Sequence, residues 1–441
     1  MQTFPVSPTR RSGHRLLTPI VALLLAALGA CSTAPVTPPD NGASAPALAS
    51  SAPVPAAAAS APTPDELETR QRFARWVDDF RADARGAGID EDTLRSAFDD
   101  VQYRPRAVLQ DRAQPGFTRS VWDYLDAAVT PRRVAQGQDR LQQLRPEADA
   151  AAARYGVAPE VIEAIWGIES DYGVNYGDVP VIDALATLGF EGRREAWART
   201  QLLAALRILQ AGDIARAQMI GSWAGAMGQT QFLPTAFLAY AVDADGDGRR
   251  DIWGSMADVM ASTANFLARS GWQAGQPWGV EVRLPAGFDA GRADDSLRQG
   301  AARWAEEGVQ AMDGAPLPEL GDAAVLLPAG VRGPAFLVGA NFRVILRYNN
   351  STSYALAVGL LSQRLGGGPG VQAAWPRELQ ALSRAQLAAL QTALNLRGFD
   401  CGPADGALGP ATRAALRGYQ RSVGLPADGY PTLELLQRLQ P

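Results

Sequence analysis

The stretch EAIWGIESDYG, residues 163–173, places a carboxylate where a helical pattern calls for an apolar side chain. It opens shortly after Pro159, a residue type that suits the first position of a helix. Apolar side chains then recur with helical spacing at Ile162, Ile165 and Trp166. The same spacing brings Glu169 onto the apolar face and leaves Glu163 outside it. Because burying an ion is costly, Glu169 is either paired with an arginine, exposed where the stripe drifts to the surface, or functional.

The composition narrows the chemistry that is open to the chain. It has 441 residues, enough for two or three domains, and a formal net charge of -5, which does not favour a nucleic-acid partner. There is no lysine, and the single histidine is His14, within a segment expected to be removed. A mature chain of this kind cannot run a Ser-His-Asp triad, a Schiff base or a histidine-ligated zinc site. Proton transfer would therefore fall to Asp, Glu or Tyr.

The N-terminal region is typical of an exported lipoprotein. Residues 1–31 combine three arginines with an apolar run that is too short for a comfortable membrane span. They end in LGAC, which is similar to a lipobox and predicts lipidation of Cys31; ordinary cleavage nearby is the alternative. Residues 32–63 are rich in Ala, Pro and Ser and predict a linker. We expect a periplasmic protein anchored to the outer membrane.

The remaining chain predicts a mainly helical (α+β) protein. Helical periodicity runs from about residue 64 to residue 270, opening with a capping signal, and returns from 341 to 365. Short strands alternate with Gly and Pro turns over residues 278–338, around one helix near 295–312. The Gly-rich residues 366–375 predict a boundary, and residues 376–441 a separate, mostly helical unit. The catalytic part would thus span 64–365.

Two further motifs carry polar side chains in special patterns. GSWAGAMGQTQFLP, residues 221–234, joins small residues to Gln231, whose amide could bind a sugar; a tight packing turn between helices is the alternative. DADGDGRRD, from Asp243, matches the opening of a calcium loop, although Gly254 stands where such a loop ends in glutamate. A metal-free polar turn is the other interpretation.

These motifs together resemble a known family. GIES with Glu169, VIDALATLGF (181–190), the 221–234 motif, VDADGDGRRDIW and RYNNSTSY (347–354) are similar to the membrane-bound lytic transglycosylase B type of murein-cleaving enzymes, glycoside hydrolase family 103. The resemblance covers roughly residues 65–365 and implies a lysozyme-like core. Residues 376–441 resemble the peptidoglycan-binding type 1 domain, a three-helix module that would hold the enzyme on its substrate.

The resemblance implies both a reaction and its residues. Such carbon–oxygen lyases cut the β-1,4 bond between N-acetylmuramic acid and N-acetylglucosamine and leave a 1,6-anhydro end, with one carboxyl as acid and then base. Glu169 takes that position. The glycan contacts implied by the family fall on Ser222, Gln231, Phe266, Tyr348, Asn349, Tyr354 and Tyr124, and Phe266 lacks the hydroxyl of the tyrosine in a relative.

The same resemblance supports a structural calcium ion, with no cofactor required for the chemistry. Its expected ligands are Asp243, Asp245, Asp247, the carbonyl of Arg249 and, as closing ligand, Asp258, with Asp251 as a substitute. We expect a monomer that binds glycan strands and reaches the membrane through its lipid. A hydrolytic muramidase and an inactive murein-binding scaffold remain as alternative functions.

Overall fold

The computed structural model describes residues 63–112 and 119–440. The predicted signal peptide, Cys31 and all of the predicted linker except Thr63 lie outside the described residues. Within that part of the chain no helix has the length and apolar character needed to cross a membrane. The capping signal is confirmed, because Thr63 and Glu66 exchange hydrogen bonds of 2.8 and 3.3 Å between side chain and backbone at the start of the first helix.

The helical part confirms the periodicity of the sequence. Its first helices are α1 Pro64–Gly86, α2 Glu91–Phe98, α3 Pro105–Arg112, α4 Val121–Ala128, α5 Pro131–Gln143, α6 Arg145–Tyr155 and α7 Pro159–Ser170. They are followed by β1 Val179–Pro180, α8 Val181–Glu191, α9 Glu195–Ala211, β2 Ile220–Gly221, α10 Pro234–Tyr240 and α11 Met256–Arg269. Strands β1 and β2 pair antiparallel, which brings the chain just after α7 beside the start of the 221–234 motif.

A small sheet forms the strand-containing part, as predicted. This part of the chain comprises β3 Gly279–Arg283, the helix α12 Ala301–Glu306, β4 Gln310–Ala311, β5 Ala324–Leu326, β6 Pro328–Val331 and β7 Ala335–Val338. The antiparallel strand order is β4-β3-β7-β5, and a separate apolar core lies around the fully buried Trp304. The helix is shorter than the predicted 295–312, because it begins after Gly300 and the chain leaves it at Gly308, where φ is +91°.

Two helices then return to the main core and cover α7. They are α13 Ala340–Tyr348 and α14 Thr352–Leu365, joined by a short turn in which the Ser351 side chain caps α14. Helix α14 packs along α7, and α4 packs against α14. The helix with Glu169 is thereby enclosed by neighbours, and Ile162 and Ile165 have no exposed surface.

The predicted boundary at residues 366–375 is attached to the catalytic part in the structure. The Glu281 carboxylate accepts hydrogen bonds of 2.8 Å from the backbone N–H groups of Gln372 and Ala373. Arg377 pairs with Asp126 on α4 at 2.6 Å. The C-terminal unit follows with its own apolar core and the helices α15 Arg384–Leu396, α16 Pro410–Ser422 and α17 Leu433–Leu439.

Candidate active site

Glu169 lies in the last turn of α7, which ends in an unusual way. Asp171, Tyr172 and Gly173 follow with φ values of +50°, +60° and +79°, so that two residues other than glycine adopt the left-handed conformation. The Ser170 hydroxyl accepts a hydrogen bond of 3.1 Å from the Gly173 N–H. The chain therefore turns sharply away just beyond Glu169, and the carboxyl stands at the end of a rigid helix.

The Glu169 carboxyl is held by a single tyrosine. The Tyr354 hydroxyl donates a hydrogen bond of 2.6 Å to Glu169 Oε1. Burial disfavours the ionised form and raises the pKa of Glu169 to about 7, while the Tyr354 hydrogen bond acts in the opposite direction. No second carboxylate in the described part of the chain contributes to this shift. Glu169 is thus a carboxyl that can hold or release a proton near neutral pH.

Aromatic side chains from four helices form a cluster at this carboxyl. The rings of Tyr354 and Tyr348 are stacked with centroids 6.5 Å apart, and Phe266 lies 4.7 Å from Tyr348. On α4, Tyr124 is half-buried, and its pKa is raised by burial and by the charge of Glu169. Burial and Glu169 also raise the pKa values of Tyr348 and Tyr354 well above the usual range. The predicted site residues Tyr124, Tyr348 and Tyr354 are therefore neighbours of Glu169.

The 221–234 motif forms a loop beside this cluster. The Tyr348 hydroxyl donates a hydrogen bond of 2.7 Å to the Thr230 carbonyl, which joins the loop to α13. Gln231 has a φ of +52° and donates from Nε2, at 2.9 Å, to the carbonyls of Tyr176 and Gly228. Within the described residues its Oε1 has no hydrogen-bond partner, so that this oxygen remains available to a ligand.

Ser222 and Asn349, two further predicted substrate contacts, lie in different environments. Ser222 is half-buried at the start of the same loop, where its hydroxyl accepts a hydrogen bond of 3.1 Å from the Ala226 N–H. Asn349 ends α13 with an exposed side chain, and this side chain makes no hydrogen bond within residues 63–112 and 119–440. Ser222 is therefore built into the loop that carries Gln231, whereas Asn349 lies at the surface beside Tyr348.

The position of Glu163 corrects the sequence analysis. Helical spacing placed Glu163 off the apolar face, yet its side chain is fully buried, and neither carboxylate oxygen has a hydrogen-bond partner among the described residues. Burial raises the pKa of Glu163 to about 8, which Arg140 lowers in part. The face assignment failed because α7 is covered on every side, so that it has no polar face from which to distinguish an apolar one.

The aspartate loop brings together part of the predicted metal site. Carboxylate oxygens of Asp243, Asp245 and Asp258 lie within 4.8 Å of one another, and Asp258 is fully buried. Burial is the main cause of the raised pKa of Asp258. Three converging carboxylates are the oxygen donors that Ca²⁺ prefers, so these residues fit that ion.

Two other predicted calcium ligands, Asp247 and Asp251, do not point towards the carboxylate cluster. Asp247 accepts a hydrogen bond of 2.8 Å from the Arg249 backbone and pairs with the Arg249 guanidinium at 2.9 Å, and it is not a member of the carboxylate cluster. The substitute, Asp251, accepts hydrogen bonds from the N–H groups of Trp253 and Gly254 instead. The structure thus supports Asp258, rather than Asp251, as the residue that completes the cluster.

Two residues that the sequence analysis did not single out connect these parts. Gln229 is buried, accepts a hydrogen bond of 2.8 Å from the Trp166 indole on α7 and donates one of 2.7 Å to the Trp253 carbonyl. It therefore ties the helix with Glu169 to the end of the aspartate loop. Arg133 contacts the turn after Glu169 through Asp171. The position of Gln229 inside the Gly-rich 221–234 motif was a signal that could have identified it from the sequence. Nothing in the local sequence marks Arg133.

A lysozyme-like helical fold with one carboxyl beside a tyrosine cluster defines a class of glycan-cleaving protein, and sequence comparison agrees. The profile of the transglycosylase SLT domain matches residues 72–363, and that of a peptidoglycan binding domain matches residues 383–439. The chain belongs to the lytic transglycosylase family that the first profile describes, and it carries a domain of the second kind.

Individual relatives are similar over different lengths. The structure of SltB3 from Pseudomonas aeruginosa in complex with NAG-NAM-pentapeptide is 55% identical, with a TM-score of 0.82, over 83% of this chain and 99% of that one. The structure of the lytic transglycosylase Slt35 from Escherichia coli in complex with calcium is 30% identical, with a TM-score of 0.56, over 67% of this chain and 92% of that one. Membrane-bound lytic murein transglycosylase B of Escherichia coli is 33% identical over 54% of this chain, and the match spans 66% of that relative.

Proposed function

We propose that this chain is a lytic transglycosylase that cleaves the β-1,4 bond between N-acetylmuramic acid and N-acetylglucosamine in peptidoglycan, with formation of a 1,6-anhydromuramic end. The observation that carries the proposal is the Glu169 carboxyl, half-buried, hydrogen-bonded to Tyr354 and with a pKa of about 7. A carboxyl with this pKa can donate a proton and later accept one at neutral pH.

The chemistry needs one carboxyl and no water. Protonated Glu169 gives its proton to the glycosidic oxygen as the bond between this oxygen and the muramic C1 breaks. The resulting carboxylate takes the proton of the muramic 6-hydroxyl while that oxygen bonds to C1. Proton and charge balance over the two steps, and Glu169 returns to its starting state. The lack of a second carboxylate acting on Glu169, among the described residues, supports this route over hydrolysis by paired carboxyls.

The surrounding side chains suit a glycan substrate. Tyr348 and Tyr124 keep some exposed surface on which a sugar ring can pack, whereas Tyr354 and Phe266 are buried and support these rings from within the fold. Gln231 Oε1, which has no hydrogen-bond partner among the described residues, can accept a hydrogen bond from the N–H of an acetamido group. We assign Ser222, Asn349 and Tyr124 to the same cleft as substrate contacts.

The experiment that tests this function is a digestion of purified murein sacculi by the full-length chain in mild detergent, with mass spectrometry of the released muropeptides. Products lighter by one water than reducing muropeptides are the expected result. Reducing products would instead assign a hydrolytic muramidase. A chain that sediments with sacculi and releases nothing would be a binding scaffold.

The flanking regions extend the proposal. We assign residues 64–365 to catalysis and 376–441 to peptidoglycan binding, in keeping with the profile matches at 72–363 and 383–439. Residues 1–31 would act as a lipoprotein signal and residues 32–63 as a linker. Acylated Cys31 would then anchor a monomeric periplasmic enzyme to the outer membrane. Metabolic labelling with a fatty-acid analogue, compared between the wild type and Cys31→Ala, tests the anchor.

A calcium ion at Asp243, Asp245 and Asp258 belongs to the same proposal. The three side chains reach the aspartate loop from both of its ends, so an ion bound there would hold the loop closed. Because Gln229 connects this region to α7, the ion would stabilise the fold around the site. It would supply no step of the reaction, which Glu169 completes without a metal.

A further inference from the structure

We propose that Arg133 is a positioning residue for the reaction, because its guanidinium joins the end of α4, which carries Tyr124, to the turn that follows Glu169. The inference rests on the proposed function, in which Glu169 is the proton donor and Tyr124 lies in the same cleft. Arg133 itself reaches neither the substrate nor the carboxyl in this role. It fixes two segments near the carboxyl, namely the end of α4 and the turn that directly follows Glu169.

The contacts of Arg133 divide between these two segments. Nη1 donates hydrogen bonds of 2.7 and 3.3 Å to the carbonyls of Ala128 and Ala127 at the end of α4. Nε and Nη2 donate at 3.2 and 3.1 Å to Asp171 Oδ1. The Arg133 carbonyl, in turn, accepts a hydrogen bond of 2.9 Å from the Tyr172 hydroxyl. These five hydrogen bonds of one half-buried arginine span α4, α5 and the turn after α7.

Both segments need such a partner. Helix α4 has only eight residues, too few for a helix to be stable without tertiary contacts. Its last carbonyls have no partner inside the helix, and a cation there also interacts favourably with the helix dipole. The turn keeps Asp171 and Tyr172 in the left-handed conformation, which costs free energy and persists only where the surroundings hold it.

The packing around Tyr172 shows how closely the turn is held. A Cβ at Gly137 would lie 2.2 Å from the Tyr172 hydroxyl, and one at Gly167 would lie 2.6 Å from its ring. The ring therefore occupies a slot between α5 and α7 that only glycines permit. Arg133 lies on α5 at the end of this slot. Loss of its side chain would leave in place the carbonyl that accepts from the Tyr172 hydroxyl, but it would release the turn at Asp171.

The consequence for Glu169 follows from what faces it. Tyr124 from α4, Tyr348 from α13 and Tyr354 from α14 are the titratable groups whose pKa values respond to its charge in the described residues. Of the helices that carry them, α4 is the one that Arg133 holds. A displaced α4 would move Tyr124 and admit water to Glu169, which would bring the pKa of Glu169 down towards its ordinary value.

The sequence supplies a matched control in the neighbouring arginine. Arg132 also pairs with Asp171, at 3.5 Å, but its side chain is 75% exposed and makes none of the bonds to α4. The test compares Arg133→Ala, Arg133→Lys and Arg132→Ala in the full-length chain. Initial rates of muropeptide release are measured against substrate concentration and pH, and melting temperatures are recorded in parallel.

For Arg133→Ala we expect kcat to fall about tenfold or more, since small misplacements near a reacting group are expensive, with little change in KM. The alkaline limb of the pH profile should move to lower pH by about half a unit or more. For Arg133→Lys we expect a kcat and a pH profile between those of the wild type and those of Arg133→Ala, because one ammonium group cannot bind both segments. Arg132→Ala should match the wild type in kcat and in pH profile.

Two results would overturn the inference. In one, Arg133→Ala keeps the wild-type pH limb while its activity and melting temperature fall together, which describes a structural role alone. In the other, Arg132→Ala and Arg133→Ala behave alike. If Arg133→Ala does not fold, the pH limb of Arg133→Lys decides between the same outcomes. A wild type that releases no muropeptides contradicts the proposed function itself. An active wild type together with Arg133 variants whose pH profiles match that of the wild type contradicts only the role of Arg133.

Discussion

The hydroxyl of Tyr354 donates a hydrogen bond of 2.6 Å to Glu169 across the interface of α14 and α7. The two residues are 185 positions apart in the chain, and both lie on helices whose other side chains are mostly buried apolar groups. Burial raises the pKa of the carboxyl, and the hydroxyl limits that rise. The pair thus sets the protonation state on which the proposed reaction depends.

Replacement of Glu169 by glutamine tests the assignment of the proton donor. The amide keeps the shape of the side chain but can neither donate the proton nor take it back. We expect release of muropeptides from sacculi to fall at least a hundredfold, in line with the usual contribution of about 10² to 10⁴ from general acid–base catalysis. The melting temperature should stay near that of the wild type, and substantial residual activity would argue against Glu169 as the acid.

Tyr354→Phe tests the hydrogen bond at the same site. The donated bond favours the carboxylate, so its removal should raise the pKa of Glu169 further above 7. The alkaline limb of the pH profile should then move to higher pH, in the direction opposite to that expected for Arg133→Ala. The measurement is the rate of muropeptide release between pH 5 and 9. An unchanged limb would mean that the bond does not affect the reacting state.

Glu163 gives a prediction about stability and pH. Its pKa is about 8 in the folded chain, against an ordinary value of 4.5, so between these pH values the folded state holds a proton that the unfolded chain has released. The stabilising contribution of this protonated group is complete below about pH 4.5 and is lost as the pH rises towards 8. Glu163→Leu removes the buried carboxyl and should flatten this dependence.

We expect Glu163→Leu to raise the free energy of unfolding by about 1–3 kcal/mol at pH 5, the usual cost of a buried polar group without a partner, and by more at pH 8, where the stabilising contribution of the protonated carboxyl has been lost. Denaturant unfolding at pH 5 and pH 8 measures the change. The matched control is Glu160→Leu on the first turn of the same helix, where the carboxylate is partly exposed and the difference between the two pH values should be smaller. An equal gain at both pH values for Glu163→Leu would contradict the buried, protonated state.

Calcium should stabilise the fold without entering the reaction. Addition of Ca²⁺ to a chelator-treated chain should raise the melting temperature, since an ion at one hundred times its Kd contributes about 2.7 kcal/mol. Asp245→Ala, within the carboxylate cluster, should abolish this shift. Asp247→Ala should retain it, because Asp247 pairs with Arg249 instead. Loss of activity on chelation with no change in melting temperature would refute the structural role.

The sequence was sufficient for the class of fold and for most elements, because these depend on local information. The capping box at Thr63, the proline that opens α7 and the alternation in residues 279–283 act over a few residues. The boundary at residues 366–375 was predicted from its glycines alone. Its contact with Glu281 involves residues about 90 positions apart, which no local pattern reports.

The residues of the candidate site also differ in whether the sequence could predict them. The resemblance to the lytic transglycosylase family implied Glu169, Gln231 and the tyrosines as a set, and the structure brings Tyr124, Tyr348 and Tyr354 to Glu169. Periodicity was wrong for Glu163, since a helix covered on all sides has no exposed face to define a stripe. Ligand spacing included Asp247 in the metal site, whereas the backbone of the loop turns this carboxylate towards Arg249.

By itself, then, the sequence determined the helices, the motif residues and the absence of histidine and lysine chemistry in the predicted mature chain, since composition and short-range spacing decide these properties. Only the tertiary structure decided that Tyr354 meets Glu169, that Glu163 is buried with no hydrogen-bond partner among the described residues, and that Arg133 joins α4 to the turn after α7. The physical reason is that a pKa or a fixed side-chain position depends on burial and on partners. Packing brings these partners together from distant parts of the chain.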